Sequence, residues 1–305
     1  MSNLCIFTGG DNLYFDLIHE LIQSINILDN SMPVVVIDGG IHINNLTKIN
    51  YKNVSVVRPE FCKDLFDGES KSIVNILRLR LDQICKYYSL PYKTLIWLDA
   101  DTWVQNLYPF LDICKSVCNK NKLIIKSQSS RLDRKTIQTQ KIVNFGTFSL
   151  FRLKNIIYKN SKFLGFSNET LEKLESVATL NSGVFALDID APHWERFRYW
   201  QEYIIKENNG KKFNSDQLSI GYTIYLDNLE FELFPDICNY FCGYPLRWNE
   251  NTKKFVDFYP PYDEINIIHH CGITKFIDNW DKIKVLDMND NSITKSVLFS
   301  NRFET

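Results

Sequence analysis

The sequence predicts an α/β fold built on an open, mostly parallel sheet with helices on both sides. Three observations carry this. Strand-like and helix-like segments alternate through the first 127 residues, and β-α-β-α order implies parallel strands joined by crossover helices. The strand Thr94 to Leu98 has no polar face, as expected when both faces of a sheet are covered. Several of these strands end in glycine or aspartate, at the carboxyl edge where such sheets bind ligands.

In chain order, Leu4 to Phe7 is a short apolar strand. Tyr14 to Leu28 carries Phe15, Ile18, Leu21, Ile22 and Ile25 at helical spacing. Pro33 to Ile37 reads as a strand ending at Asp38-Gly39-Gly40, and Val54 to Val57 as another. Ser70 to Tyr88 reads as one long helix bearing Ile73, Ile76, Leu77, Leu81 and Ile84. Within it lies Leu77-Arg78-Leu79-Arg80, where one arginine is expected in solvent and the other at the ligand mouth. After the strand Thr94 to Leu98 come a helix, Leu107 to Val117, and a strand, Leu123 to Lys126. Ser127 to Asn144 is polar, lacks an apolar period and reads as a long loop, a candidate lid or acceptor loop. Strands at Phe145 to Phe151, Gly183 to Asp188 and Ile265 to Ile268 follow. Helices are expected at Glu169 to Val177, Pro192 to Lys206 and Ser215 to Tyr225.

Composition excludes several classes. Lys+Arg is 35 and Asp+Glu is 36, a net charge of -1, which argues against nucleic acid or an anionic membrane bound over a broad basic surface. No apolar run approaches the roughly 20 residues of a membrane helix, and the N-terminus has no basic leader, so the expected location is cytoplasmic. The eight cysteines are then read as reduced, buried thiols. Zinc sites favour tighter pairs than Cys114/Cys118 and Cys238/Cys242, with further Cys or His in register. Phosphate-binding loop, dinucleotide, zinc-protease and serine-hydrolase signatures are absent.

The strongest chemical signal is Asp99-Ala100-Asp101 at the end of the apolar strand. In extended backbone, residues two apart point the same way, and two adjacent carboxylates repel unless a cation lies between them. Hard divalent ions take such oxygen ligands. A second apolar strand ends in His269-His270-Cys271-Gly272. A histidine there completes a mixed oxygen and nitrogen set suited to Mn²⁺ or Mg²⁺, and Lys275 is in reach of an anionic phosphate. Asn181-Ser182-Gly183 presents polar groups at a strand mouth. In Asn214-Ser215-Asp216-Gln217, Asn214 or Ser215 reads as a helix cap.

Together these motifs resemble glycosyltransferase family 8, a retaining group with the GT-A fold that includes glycogenin and bacterial lipopolysaccharide galactosyl- and glucosyltransferases. The resemblance runs from Phe7 to about Lys275, in the family's order. It implies that Thr8, Asp11 and Asn12 meet the nucleotide and that Asp99, Asp101 and His269 bind the metal. It further implies that Arg78, Asp99, Asn181, Ser182, Gly183, Gly272 and Lys275 bind the donor, and that Asp216 and Gln217 lie near the anomeric centre. The family's usual Pro-Trp after the last motif is replaced by Phe276-Ile277, with Trp280 beyond. The aromatic segment Cys238 to Asp263 has no counterpart in the resemblance and is a candidate acceptor wall.

The expected activity is transfer of a hexose from a nucleotide-diphosphate sugar, UDP-glucose or UDP-galactose, to an acceptor that is carbohydrate, lipid-linked or protein. Residues 1–305 are read as one domain, with about 1–127 holding the nucleotide and about 145–305 the sugar and acceptor. Two alternatives remain open. A sugar nucleotidyltransferase would carry basic residues after the first strand, which Thr8 to Asn12 lacks. A non-catalytic nucleotide-sugar-binding module would bind donor without turnover.

Overall fold

The computed structural model describes residues 3–61, 73–128, 141–145, 148–152, 156–210, 214–271 and 282–300. Its strands, in chain order, are β1 (Leu4–Gly10), β2 (Val34–Asp38), β3 (Val54–Val57), β4 (Thr94–Leu98), β5 (Thr102–Val104) and β6 (Leu123–Ser127). Then come β7 (Lys141–Phe145), β8 (Phe148–Arg152), β9 (Leu180–Asp188), β10 (Phe231–Leu233) and β11 (Tyr240–Phe241). The last are β12 (Arg247–Asn249), β13 (Lys254–Val256), β14 (Ile267–His269), β15 (Ile283–Asp287) and β16 (Ser292–Lys295).

The central sheet has seven strands in the order β10-β6-β9-β4-β1-β2-β3. All its pairings are parallel except those of β9, which runs antiparallel to both β4 and β6. Strand alternation sorts the sheet's side chains into two cores. Ile6, Val34, Val36, Ile96, Leu98, Ile124 and Ala186 face the helices Phe15–Leu28 and Leu107–Cys118. Phe7, Val35, Ile37, Leu95, Trp97, Ile125 and Phe185 face Leu81–Tyr87, His193–Glu207 and Ser215–Tyr225. Each fully buried aliphatic side chain contributes roughly 1.5–3 kcal/mol of transfer free energy. These two layers are therefore what fixes the carboxyl edge of the sheet.

The chain departs from its sequence reading in four places. The expected helix from Ser70 to Tyr88 is interrupted: Ile73–Leu77 and Leu81–Tyr87 flank a 3-10 turn at Arg78–Arg80. Both arginines are buried there. Arg80 does not reach solvent, because it donates to Gln201 and, at 3.0 Å, to Glu202 on the neighbouring helix. β1 runs on to Gly10, and this carries Thr8 inside the sheet, opposite Val36. Lys141 to Asn144 is not loop but half of a hairpin, paired with β8. Finally, the strand read as Ile265 to Ile268 is β14 at Ile267–His269, and it belongs to a smaller sheet, β11-β14-β5.

That smaller sheet is backed by a third core of Trp103, Tyr240, Trp248, Phe255, Ile268 and Phe299. Most aromatics of the segment Cys238 to Asp263 are absorbed there. Cys5, Cys85, Cys114, Cys118, Cys238 and Cys242 are buried and unpaired. No helix among the described residues is long and apolar enough to cross a membrane.

Candidate active site

A cavity of about 440 Å³ opens at the carboxyl edge of β1 and β4. Its wall on the β1 side is Gly9, Gly10, Asp11 and Tyr14. Gly9 is obligatory on packing grounds, since a Cβ there would lie 2.7 Å from the carbonyl oxygen of Ile37. Asp11 caps the following 3-10 turn by accepting from the Leu13 N–H at 3.0 Å.

At the floor, the chain turns as it leaves β4. The Asp99 carbonyl accepts the Thr102 N–H at 3.1 Å and the Thr102 hydroxyl at 2.7 Å. The two carboxylates of Asp99-Ala100-Asp101 therefore converge through a turn and not through strand alternation. His269 arrives by register: β14 pairs antiparallel with β5, setting His269 opposite Thr102. The next N–H, of His270, donates to the Asp101 carbonyl at 2.8 Å. One ligand atom from each of Asp99, Asp101 and His269 lies within 4.8 Å of the other two. His269 Nε2 is 3.5 Å from Asp101 Oδ1.

β9 supplies the other wall. Because it runs antiparallel to β4, its first residues lie beside the last of β4, with Leu98 opposite Val184. The Asp99 N–H donates to the Gly183 carbonyl at 2.8 Å. Gly183 has no room for a side chain. A Cβ would sit 2.5 Å from His269 Cε1, 2.9 Å from Asp99 Oδ2 and 3.0 Å from Asn181 Oδ1.

Arg78 crosses the floor. Its Nη1 donates to Asp99 Oδ1 at 3.0 Å and Asp216 Oδ2 at 3.2 Å, and its Nη2 to Asn75 Oδ1 at 2.7 Å. The guanidinium lies over Trp97, 5.1 Å from the ring centroid. Burial works against its charge, but the carboxylates of Asp99, Asp216 and Asp101 outweigh that and raise its pKa above the ordinary arginine value. Trp97 Nε1 also donates to Asp99 Oδ1, at 2.8 Å. Oδ1 is thus committed to protein donors, while Oδ2 faces Gly183.

This floor suits a divalent cation. Three carboxylates, Asp99, Asp101 and Asp216, converge on one described arginine. Two carboxylates and an imidazole form the mixed oxygen and nitrogen set that Mn²⁺ accepts.

Towards the far wall, the Ser182 hydroxyl donates to Asp216 Oδ2 at 2.8 Å, so Asp216 is gripped by Ser182 and Arg78 together. Gln217 pairs with Gln128 at 2.8 Å, and both line the cavity. Neither expected cap forms on the helix Ser215–Tyr225. Asn214 takes a left-handed conformation at φ 60, makes no side-chain capping bond and lines the cavity. The Ser215 hydroxyl is buried without a partner among the described residues.

The cavity thus gathers Asp11, Arg78, Asp99, Asp101, Asn181, Ser182, Gly183, Asp216, Gln217 and His269. Thr8 and Asn12 are not on its lining. Thr8 is fully buried, and the Asn12 side chain accepts from the His42 N–H at 3.1 Å and from Asn45 Nδ2 at 2.9 Å. Gly272, Lys275, Phe276, Ile277 and Trp280 lie outside the described residues, as do residues 129–140 of the expected loop.

Sequence reasoning passed over Tyr14, Asn75, Gln128, Asn239 and Phe241. Gln128 directly follows β6, so the rule that favours strand ends contained the signal for it. Phe241 lay within the aromatic segment, which gave no way to tell core rings from cavity rings. Lys126 is the other surprise: it is buried, and its Nζ donates to the Asn239 carbonyl at 2.7 Å and lies 4.2 Å from the Phe241 ring centroid. Burial pushes its pKa down.

No protein-family model matches the chain, and no curated protein matches it in sequence. Solved structures do match it in shape. The galactosyltransferase LgtC, in complex with donor and acceptor sugar analogues, superposes with a TM-score of 0.51 at 15% identity, over 88% of this chain and 87% of LgtC. An active-site mutant of LgtC matches at a TM-score of 0.51 and 14% identity, over 88% and 87%. The bifunctional glycosyltransferase WbbM matches at a TM-score of 0.57 and 17% identity, over 92% of this chain and 47% of WbbM. The chain has the GT-A glycosyltransferase fold.

Proposed function

We propose that the protein is a metal-dependent retaining glycosyltransferase that moves a hexose from a nucleotide-diphosphate sugar, UDP-glucose or UDP-galactose, to a carbohydrate, lipid-linked or protein acceptor. The observation that carries this is the convergence of Asp99, Asp101 and His269 at the floor of a cavity on the sheet's carboxyl edge. The fold shared with LgtC and WbbM supports it. In this reading about 1–127 holds the nucleotide and about 145–305 closes the sugar and acceptor site, all within one domain.

The chemistry follows from charge. As the glycosidic bond breaks, the nucleoside diphosphate gains negative charge and the sugar becomes oxocarbenium-like. Asp99, Asp101 and His269 would hold a divalent cation, which would supply Lewis acidity to the departing diphosphate. The resemblance implies that Lys275 adds a second positive charge there and that Gly272 also meets the donor. Asp11 contacts the nucleoside, and in this reading Thr8 and Asn12 act from behind it. Asn181 and the Gly183 backbone meet the sugar. Asp216 and Gln217 face the anomeric centre with a carboxylate and an amide carbonyl, electron-rich groups that stabilise developing positive charge. Arg78 and Ser182 hold Asp216 in place.

The test is to mix purified protein with Mn²⁺ and a panel of UDP-, GDP- and CMP-sugars, reading binding by thermal shift and turnover by nucleotide release. A UDP-hexose that binds only with metal and is slowly hydrolysed supports the reading. No binding or turnover with any donor, together with an Asp101→Ala variant indistinguishable from native, would sink it.

A further inference from the structure

Asn239, beside Cys238 in the aromatic segment, is fully buried and each of its polar groups has a partner. Its N–H donates to the Asp236 carbonyl at 3.2 Å, and its own carbonyl accepts from Lys126 Nζ at 2.7 Å. Its side chain bridges β14 and β9. Oδ1 lies 2.7 Å from His269 Nδ1, and Nδ2 lies 3.0 Å from Asn181 Oδ1.

The direction of each bond in this chain follows from one fixed point. The Gly183 backbone N–H can only donate, and it donates to Asn181 Oδ1 at 3.1 Å. The Asn181 atom there is therefore the oxygen. The Asn239 atom facing that oxygen must be a donor, which makes it Nδ2. The remaining Asn239 atom, facing His269, is then the oxygen and can only accept. His269 Nδ1 must carry a hydrogen. In the neutral ring the other nitrogen, Nε2, then has its lone pair bare, and Nε2 is the atom 3.5 Å from Asp101.

We infer that Asn239 is a positioning residue that sets the tautomer of His269, aiming the Nε2 lone pair at the cation between Asp99 and Asp101. This rests on the cation-binding reading of the site, but it concerns this chain's own hydrogen-bond order. An outer partner of this kind fixes a histidine ligand's ring orientation and tautomer, and its loss typically weakens metal binding about 10–100-fold. The Phe241 ring, 5.4 Å from the His269 ring and edge-on to it, closes another side. Lys126 anchors the Asn239 backbone from beneath.

The first experiment uses the native, metal-free protein labelled with ¹⁵N-histidine, at about pH 8, where an ordinary imidazole is neutral. Two-bond ¹H–¹⁵N correlations distinguish the tautomers, and a His269→Gln sample identifies the His269 signals. The expected pattern is the Nδ1–H tautomer; an Nε2–H pattern overturns the inference outright. The second experiment measures Mn²⁺ affinity by calorimetry. Asn239→Leu should bind Mn²⁺ about 10–100-fold more weakly and lose the Nδ1–H signature. Asn239→Asp keeps an acceptor for Nδ1–H but loses the donor to Asn181 Oδ1, so it should retain the Nδ1–H signature. A folded Asn239→Leu protein with native tautomer and native affinity overturns the inference. Should Asn239→Leu fail to fold, the native spectrum and Asn239→Asp still decide. Native protein that shows the Nδ1–H tautomer but binds no Mn²⁺ would defeat the cation reading and leave the assignment of Asn239 standing.

Discussion

Two strand ends at the same edge of the sheet invite comparison. β2 and β4 are both fully buried, and each runs out into an aspartate, Asp38 or Asp99. Asp38 is committed entirely to its own surroundings. Its Oδ1 accepts the N–H groups of Gly40 at 2.8 Å and Ile41 at 2.7 Å, and its Oδ2 pairs with Arg58. It locks a turn. Asp99 gives Oδ1 to Trp97 and Arg78 and leaves Oδ2 beside Gly183, and its carboxylate converges with Asp101 and His269 on the cavity floor. Location at the carboxyl edge does not make an aspartate chemical. What separates the two is whether local donors satisfy both oxygens.

The largest effect that would break this comparison is at Asp101. Removing one of two convergent carboxylates should abolish Mn²⁺ binding and lower donor turnover on the order of 10³-fold or more. Asp101→Ala should keep a native circular dichroism spectrum, because the turn is held by backbone bonds and by the Thr102 hydroxyl. Turnover within tenfold of native would show that the carboxylate pair is structural after all, like Asp38.

Next in size is Gly183→Ala. The added methyl would sit 2.5 Å from His269 Cε1, so the imidazole or β9 must move. A displacement of about 1 Å at a reacting centre can cost around 100-fold in rate, and that is the expected loss. Steady-state kinetics against Mn²⁺ concentration would test it, with a higher Mn²⁺ concentration for half-maximal rate as the companion sign. A native metal optimum in this variant would mean the ring is not confined as the geometry says.

The counterpart at the quiet strand end is Asp38→Ala. It strands two backbone N–H groups and frees Arg58, at a cost of about 2–3 kcal/mol by urea denaturation. Donor turnover well below the unfolding transition should stay within about twofold, since Asp38 does not line the cavity. A large loss of activity without loss of stability would erase the distinction between the two strand ends.

These contrasts also mark what was legible in the sequence. The alternation of elements, and the apolar strand ending in Asp-x-Asp, suffice to place the sheet and its active edge. Both depend on local periodicity. Asn181-Ser182-Gly183 is legible as a motif, but the reason for its glycine is not: the atoms that exclude a Cβ come from Asp99 and His269, far away in sequence. The break at Arg78–Arg80 escaped because apolar spacing is nearly the same for one helix as for two joined by a 3-10 turn. The inward turn of Arg80 depends on Gln201 and Glu202, which no local pattern announces. Asn239 was invisible for the same reason, since all three of its side-chain and carbonyl partners are long-range.

The smallest predicted effect extends the comparison from carboxylates to histidines. His193, like Asp38, serves the fold: its Nε2 donates to the Glu230 carbonyl at 2.9 Å, and its Nδ1 is buried without a partner among the described residues. Burial lowers its pKa below the ordinary histidine value, because a second N–H would have no acceptor in the core. The sign follows from linkage. A group whose folded pKa is depressed stabilises the fold fully above its unfolded value of about 6.5, and that contribution is lost as pH falls towards the folded value. The slope in that window is at most about 1.4 kcal/mol per pH unit for one proton. Urea denaturation of native protein at several pH values below 6.5, compared with His193→Gln, isolates this contribution. The variant keeps a donor for the Glu230 carbonyl but cannot titrate, so its stability should fall less steeply. Equal slopes would mean that His193 finds an acceptor when charged, and that it is not committed to the fold in the way Asp38 is.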